Sequence, residues 1–183
     1  VMPSADHSFY TDMEYGHKYF TYISEEVPNF VRNIFPLSDK REDNFIAGHS
    51  MGGYGSFKFA LLKPDSFAAA ASLSGALNIN RFFTEGPLNG FNTKSIYGDA
   101  KSITNTENDL FYLLENNAKN NIILPKLYQT CGTEDFLYED NTKFRDLANN
   151  LNIDLTYEEG PGEHEWGFWD ASIQRVLDWL PIK

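Results

Sequence analysis

The stretch FIAGHSMGGYGSFKFALLKPDSF, residues 45–67, constrains the fold more than any other part of the chain. It runs a short apolar segment, closely spaced glycines around one serine, and a helix-like pattern directly into one another. An apolar strand over residues 44–48 and a helix over residues 51–62 leave almost no chain for the turn at Ser50. Such a turn forces the serine into a strained backbone conformation. Side chains two residues to either side would collide there, and glycine at Gly48 and Gly52 removes that collision despite its entropic cost.

Strand, G-x-S-x-G turn and helix in that order form a nucleophile elbow, with the Ser50 Oγ held up at the carboxyl edge of a sheet. The N-terminus of the following helix lies beneath it, so the Met51 N–H and the helix dipole are expected to face a developing oxyanion. The plainer alternative is a glycine-rich turn with a helix-capping serine, and the order of the three elements favours the nucleophile. A phosphate-binding loop fits worse, because neither the Walker lysine nor GxGxxG spacing is present.

The rest of the chain alternates in the same manner. Apolar residues recur at helical spacing over 16–35, at Tyr19/Phe20, Ile23, Val27, Phe30/Val31 and Ile34, with Pro28 as a kink or junction. Lys63-Pro64-Asp65 stops the helix after the serine. Strands are expected over 68–73, 126–131 and 154–158, and helices over 109–119, 141–151 and 168–180. Residues 78–107 show no sustained period, and read as an irregular excursion near the active site. The order β-α-β-excursion-α-β-α-β-α predicts an α/β fold with a mostly parallel, doubly wound sheet, in one domain over residues 1–183.

A serine nucleophile needs a base, and the base needs an orienting carboxylate. Of four histidines, His7 and His17 precede the serine, and His49 sits inside the elbow with its side chain expected to point away. His164, in GPGEHEWGFWD after the last strand, falls where the chain order serine, acid, histidine requires the base. For the acid, YQTCGTEDFLYEDN supplies Glu134, Asp135, Glu139 and Asp140. Asp135 is favoured by its position just past a strand end, Glu134 is its nearest rival, and Asp140 suits an N-cap of the next helix. Trp166, Phe168 and Trp169 either line an acyl or aryl pocket or belong to the core. Trp166, Trp169 and Tyr54 are the expected substrate-binding side chains.

Composition narrows the partners. The formal net charge is −11 and no basic cluster stands out, which disfavours nucleic acid and anionic membrane surfaces. Cys131 is the single cysteine, so no internal disulfide forms, and at the end of a buried strand it is expected to be inert. His164-Glu165 lacks the second histidine of a zinc motif and nothing else shows metal-ligand spacing, so no metal is expected. No apolar stretch approaches the ~18–20 residues of a membrane span, and no signal peptide is visible, which makes the cytoplasm the expected location. The opening Val1-Met2-Pro3 reads as the end of a strand rather than a natural start.

GHSMGGYGSFKFAL at 48–61, CGTEDFLYEDN at 131–141 and GEHEWGFWD at 162–170 together resemble the esterase D group of α/β-hydrolases. That group includes S-formylglutathione hydrolases, feruloyl and acetyl-xylan esterases, and bacterial tributyrin esterases. SFYTDMEYGHKYFTYISEEVPNF at 8–30 and DKREDNFIAG at 39–48 bring the tributyrin branch nearest. The resemblance implies Ser50 as nucleophile, Asp135 as acid, His164 as base, and carboxylesterase activity on short acyl esters, a small-molecule substrate, without cofactor. It makes a homo-oligomer plausible. It also implies a second oxyanion donor from a His-Gly loop after an early strand, and roughly 70–80 residues ahead of Val1 carrying the first strands of the sheet. Feruloyl or acetyl-xylan esterase and S-formylglutathione hydrolase are the alternative activities, and a non-catalytic binding module on a hydrolase scaffold is the alternative from another class.

Overall fold

The computed structural model describes residues 1–84, 86, 90–99 and 103–182. In chain order its strands are β1 (Phe45–His49), β2 (Ala69–Leu73), β3 (Lys126–Gly132) and β4 (Leu155–Gly160). Its helices are α1 (Tyr19–Thr21), α2 (Val27–Ile34), α3 (Met51–Leu62), α4 (Arg81–Thr84), α5 (Thr93–Tyr97), α6 (Leu110–Lys119), α7 (Tyr138–Asn150) and α8 (Trp166–Trp179). The four strands lie side by side in the order β1-β2-β3-β4, and every pairing is parallel. Gly48 aligns with Ser72, Leu73 with Thr130, and Gly132 with Gly160. The expected α/β sheet is therefore present, and its strand ends lie within two residues of their expected positions.

Both faces of the sheet are covered, which is why β2 reads Ala-Ala-Ala-Ser-Leu with every residue buried rather than alternating. Successive side chains point to opposite faces. Ala70 and Leu127 join a core with Tyr54, Phe57 and Leu61 of α3, Leu113 and Leu114 of α6, and Phe144 of α7. Ala71, Leu73 and Tyr128 pack on the other side against Trp169 and Val176 of α8. The winding is double, as expected.

Helix α3 is enclosed from Gly53 to Leu61. Its outer side is roofed by the N-terminal segment, where Phe59 packs with Ala5, Ile23 and the Phe20 ring.

The helical pattern over 16–35 resolves into three pieces. Between α1 and α2, residues Tyr22–Glu26 form a π-helical turn in which the Val27 N–H bonds the Tyr22 carbonyl, five residues back. The wide turn falls immediately before Pro28, which has no N–H to give and whose ring crowds the carbonyl four residues back. The expected kink is thus a widened turn. The excursion over 78–107 is also less irregular than its composition suggests, because it holds α4 and α5. Residues 85, 87–89 and 100–102 of it lie outside the described residues.

All four strands run the same way, so their carboxyl ends share one edge of the sheet. The segments leaving β1, β3 and β4 there carry Ser50, Asp135 and His164 respectively. In open parallel sheets this is the edge where ligands bind.

Candidate active site

Ser50 occupies the turn between β1 and α3 with φ 54° and ψ −117°, a conformation that L-residues rarely adopt. Four backbone hydrogen bonds hold it there. Its N–H donates to the Leu73 carbonyl at 2.9 Å, and its carbonyl accepts from Gly53, Ala76 and Tyr54 at 3.0, 3.1 and 3.2 Å. A Cβ on Gly48 would lie 2.3 Å from the Gly52 carbonyl oxygen, so the strand end touches the first turn of α3 with no room for a side chain. Gly52 differs from its expectation. A Cβ there meets only the Tyr10 hydroxyl, at 3.5 Å, which is ordinary contact. The collision is one-sided: the backbone of residue 52 fills the space that residue 48 must leave. Met51 opens α3, and a first-turn N–H has no partner within its own helix.

The imidazole of His164 bridges the other two groups. Its Nε2 lies 2.8 Å from the Ser50 Oγ, and its Nδ1 lies 2.8 Å and 3.1 Å from the two Asp135 carboxylate oxygens. The Asp135 carboxylate is wholly buried, and its Oδ1 also accepts from the Leu137 N–H at 2.9 Å. Two rings flank the imidazole: Phe136 at 4.7 Å, and Trp169 edge-on at 4.8 Å and 86°. His49 stacks on the far side of this group, its ring 4.5 Å from Trp169 and nearly parallel at 14°. Burial, and then the neighbouring His164, hold the His49 pKa below its usual value. Chemically, a hydroxyl, an imidazole and a buried carboxylate in line can move a proton from the hydroxyl to Nε2 while the carboxylate steadies Nδ1–H.

Other expectations are corrected. Tyr54 does not face the site; it is 0% exposed, its ring packs edge-on against Phe9, and its hydroxyl donates to the Asn108 carbonyl at 2.9 Å. Trp169 is 8% exposed, and serves as a wall behind the two histidines. Trp166 is 71% exposed beside it, its ring 4.9 Å from His49 and 5.3 Å from Trp169. Asp140 is not an N-cap, because α7 begins earlier, at Tyr138. Its buried carboxylate instead accepts from Arg81 at 2.8 Å and Asn78 at 3.1 Å. Glu134 turns away from His164 to accept from the Gly162 N–H. Burial, and then the Asp135 carboxylate, push the Cys131 thiol up to about 12, as suits an inert cysteine. Phe136 against the imidazole, and the Arg81–Asp140 pair behind its loop, had no local signal in the sequence.

Among the described residues no three His, Cys, Asp or Glu side chains gather as metal ligands would, and no helix is long and apolar enough to cross a membrane.

A parallel, doubly wound sheet with a serine on a strained strand–helix turn, followed by an acid and a histidine from later strands, defines the α/β-hydrolase class. The Esterase family model matches residues 1–180. An acetyl esterase of Caldicellulosiruptor saccharolyticus is 33% identical over 186 aligned residues, spanning 98% of this chain and 70% of the relative. The substrate-bound structure of FphF, a fluorophosphonate-binding serine hydrolase of Staphylococcus aureus, is 44% identical with a TM-score of 0.92, covering 100% of this chain and 71% of that one. The S-formylglutathione hydrolase FrmB of Staphylococcus aureus is 45% identical with a TM-score of 0.86, covering 98% and 70%. The chain belongs to the esterase family, and it is a carboxylic ester hydrolase.

Proposed function

We propose that this ester hydrolase is a serine esterase acting on short-chain acyl esters through an acyl-enzyme, with Ser50 as nucleophile, His164 as general base and acid, and Asp135 as the orienting carboxylate. The reading rests on one observation above all, the continuous relay from Ser50 Oγ to His164 Nε2 and from Nδ1 to Asp135, each step 2.8 Å. As Oγ attacks the ester carbonyl, its proton passes to Nε2, and the buried carboxylate stabilises the imidazolium. The carbonyl oxygen gains charge and is met by the Met51 N–H at the positive end of α3. The C–O bond to the alcohol breaks, and the alcohol takes the proton from Nε2. Water then enters, gives a proton to the same nitrogen, and releases the acid by the reverse sequence.

The 33% identical acetyl esterase supports a short acyl group. The exposed ring of Trp166, close to the elbow, is the side chain we assign to substrate contact. A second reading, thioester hydrolysis of S-formylglutathione, is favoured by the 45% identity to FrmB.

The test is labelling with a fluorophosphonate probe, with the modified peptide located by mass spectrometry. A label on Ser50, lost in both Ser50→Ala and His164→Ala, is the expected result. An unlabelled, folded protein would overturn the mechanism. Rates on nitrophenyl acetate, nitrophenyl butyrate, methyl ferulate and S-formylglutathione then rank the substrates, with the short alkanoates expected first.

A further inference from the structure

The loop after β3 and the loop after β4 are fastened together by more than the sheet. Strand pairing ends at Gly132 and Gly160. Beyond it the Thr133 N–H donates to the Gly160 carbonyl at 2.9 Å, and the Glu134 N–H donates to the Gly162 carbonyl at 3.1 Å. The Glu134 side chain then closes the ring. Its Oε2 accepts from the Gly162 N–H at 2.5 Å, and its Oε1 accepts from the Thr133 hydroxyl at 2.7 Å. The two loops approach so closely that a Cβ on Gly132 would lie 2.1 Å from the Gly162 carbonyl oxygen.

These contacts bear directly on the site, because Glu134 precedes Asp135 and Gly162 comes two residues before His164. A solvated surface carboxylate has no reason to hold one geometry. Glu134 is exposed, yet both of its oxygens are engaged, one of them in a charge-assisted bond to backbone. The relay through His164 depends on placement to a few tenths of an ångström, which a loop supplies only when it is tied down.

We propose that Glu134 is a positioning residue, which clasps the His164 loop to the Asp135 loop and so fixes the imidazole between Asp135 and Ser50. The proposal rests on the reading of those three residues as the reacting relay. Glu134 is not one of the three reacting groups; it acts through the Gly162 backbone.

Reach and charge are separable by substitution. Glu134→Gln keeps an oxygen at the same reach without the charge, whereas Glu134→Asp keeps the charge and falls short. Steady-state kinetics on nitrophenyl butyrate, the rate of fluorophosphonate labelling at Ser50, the downfield proton resonance of His164 Nδ1–H, and thermal unfolding are measured on the same preparations. A ~1 Å misplacement of a reacting group costs on the order of 10²-fold in rate, so Glu134→Asp and Glu134→Ala are expected to lower kcat by ~10–100-fold with KM within about twofold. The Nδ1–H resonance should broaden or shift in both. Glu134→Gln should stay within about threefold of wild type. If Glu134→Ala does not fold, the Asp variant carries the comparison. The proposal is overturned if Glu134→Asp matches wild type in kcat and resonance, if Gln falls as far as Ala, or if only the unfolding temperature moves. Wild-type protein that takes no label on Ser50 would instead sink the relay reading beneath it.

Discussion

The carbonyl oxygen of Gly52 sits where a side chain on Gly48 would have to begin, at 2.3 Å from an ideal Cβ. Only a shift of β1 away from α3 could make room, and that shift would relax the backbone bonds that keep Ser50 at φ 54°. Gly52 has no such restriction.

Gly48→Ala is therefore expected to destabilise the fold by several kcal/mol, on the order of the ~1–3 kcal/mol of overpacking plus lost backbone bonds, and to remove fluorophosphonate labelling. Gly52→Ala is expected to leave unfolding within about 0.5 kcal/mol of wild type or slightly better, since alanine suits a helix. Equal losses in the two variants by chemical denaturation would contradict the one-sided contact.

The tryptophans separate in the same way. Trp169 is buried against His49 and edge-on to His164, so Trp169→Ala opens a cavity behind the imidazole. A loss of ~3–5 kcal/mol in stability is expected, with kcat falling as His164 loses its wall. Trp166→Ala removes an exposed ring, and should leave stability within about 0.5 kcal/mol while raising KM for aryl esters. Denaturation and steady-state kinetics on both variants check the contrast.

What could be read from residues alone divides along the range of the interactions. The elbow was legible because its constraint is local: a strand, a turn and a helix within a few positions force the geometry at Ser50. His164 was legible from chain order in a parallel sheet. The choice between Asp135 and Glu134 was harder, since neighbours in one loop look alike until burial separates them; Asp135 turns in to the imidazole and Glu134 turns to Gly162. Tyr54 was misassigned because α3 is enclosed on every side, so periodicity offered no polar face to mark which residues point inward. Asp140 was misassigned because its partner Arg81 lies 59 positions earlier, beyond any local pattern.

That pair yields its own prediction. The Asp140 carboxylate is 2% exposed, and Arg81, whose Nη1 also donates to the Phe136 carbonyl at 3.3 Å, ties the excursion to the acid loop. Removing one partner of a buried pair leaves an uncompensated charge, which costs ~3–5 kcal/mol in full burial and less where, as here, the arginine is partly open. Arg81→Ala is expected to lose ~1–3 kcal/mol, and Asp140→Asn less, because a neutral amide tolerates burial. A double-mutant cycle on unfolding free energies gives the coupling; zero coupling would contradict a direct pair.

Lys58 is the cation of α3, 1% exposed, and among the described residues no carboxylate pairs with it directly. Its ammonium donates to the Thr11 hydroxyl at 2.8 Å and to the Asn108 side-chain oxygen at 2.6 Å, near the Phe20 and Tyr54 rings. Burial lowers its pKa to about 7, outweighing the upward pull of Glu107 and Asp12. An unfolded lysine titrates near 10.4. Because the folded value is the lower one, below pH ~7 both states hold the proton and the full cost of burying the charge is present. Between pH ~7 and ~10.4 the unfolded state binds more protons, so this group makes stability rise with pH, by up to ~1.4 kcal/mol per unit. Lys58→Met removes that contribution and leaves the other titrations in place. Unfolding free energies of wild type and Lys58→Met, compared from about pH 6 to about pH 9.5, should diverge in favour of wild type as pH rises. A difference that stays constant across that window would show that Lys58 keeps its proton in the fold, with Glu107 and Asp12 prevailing over desolvation.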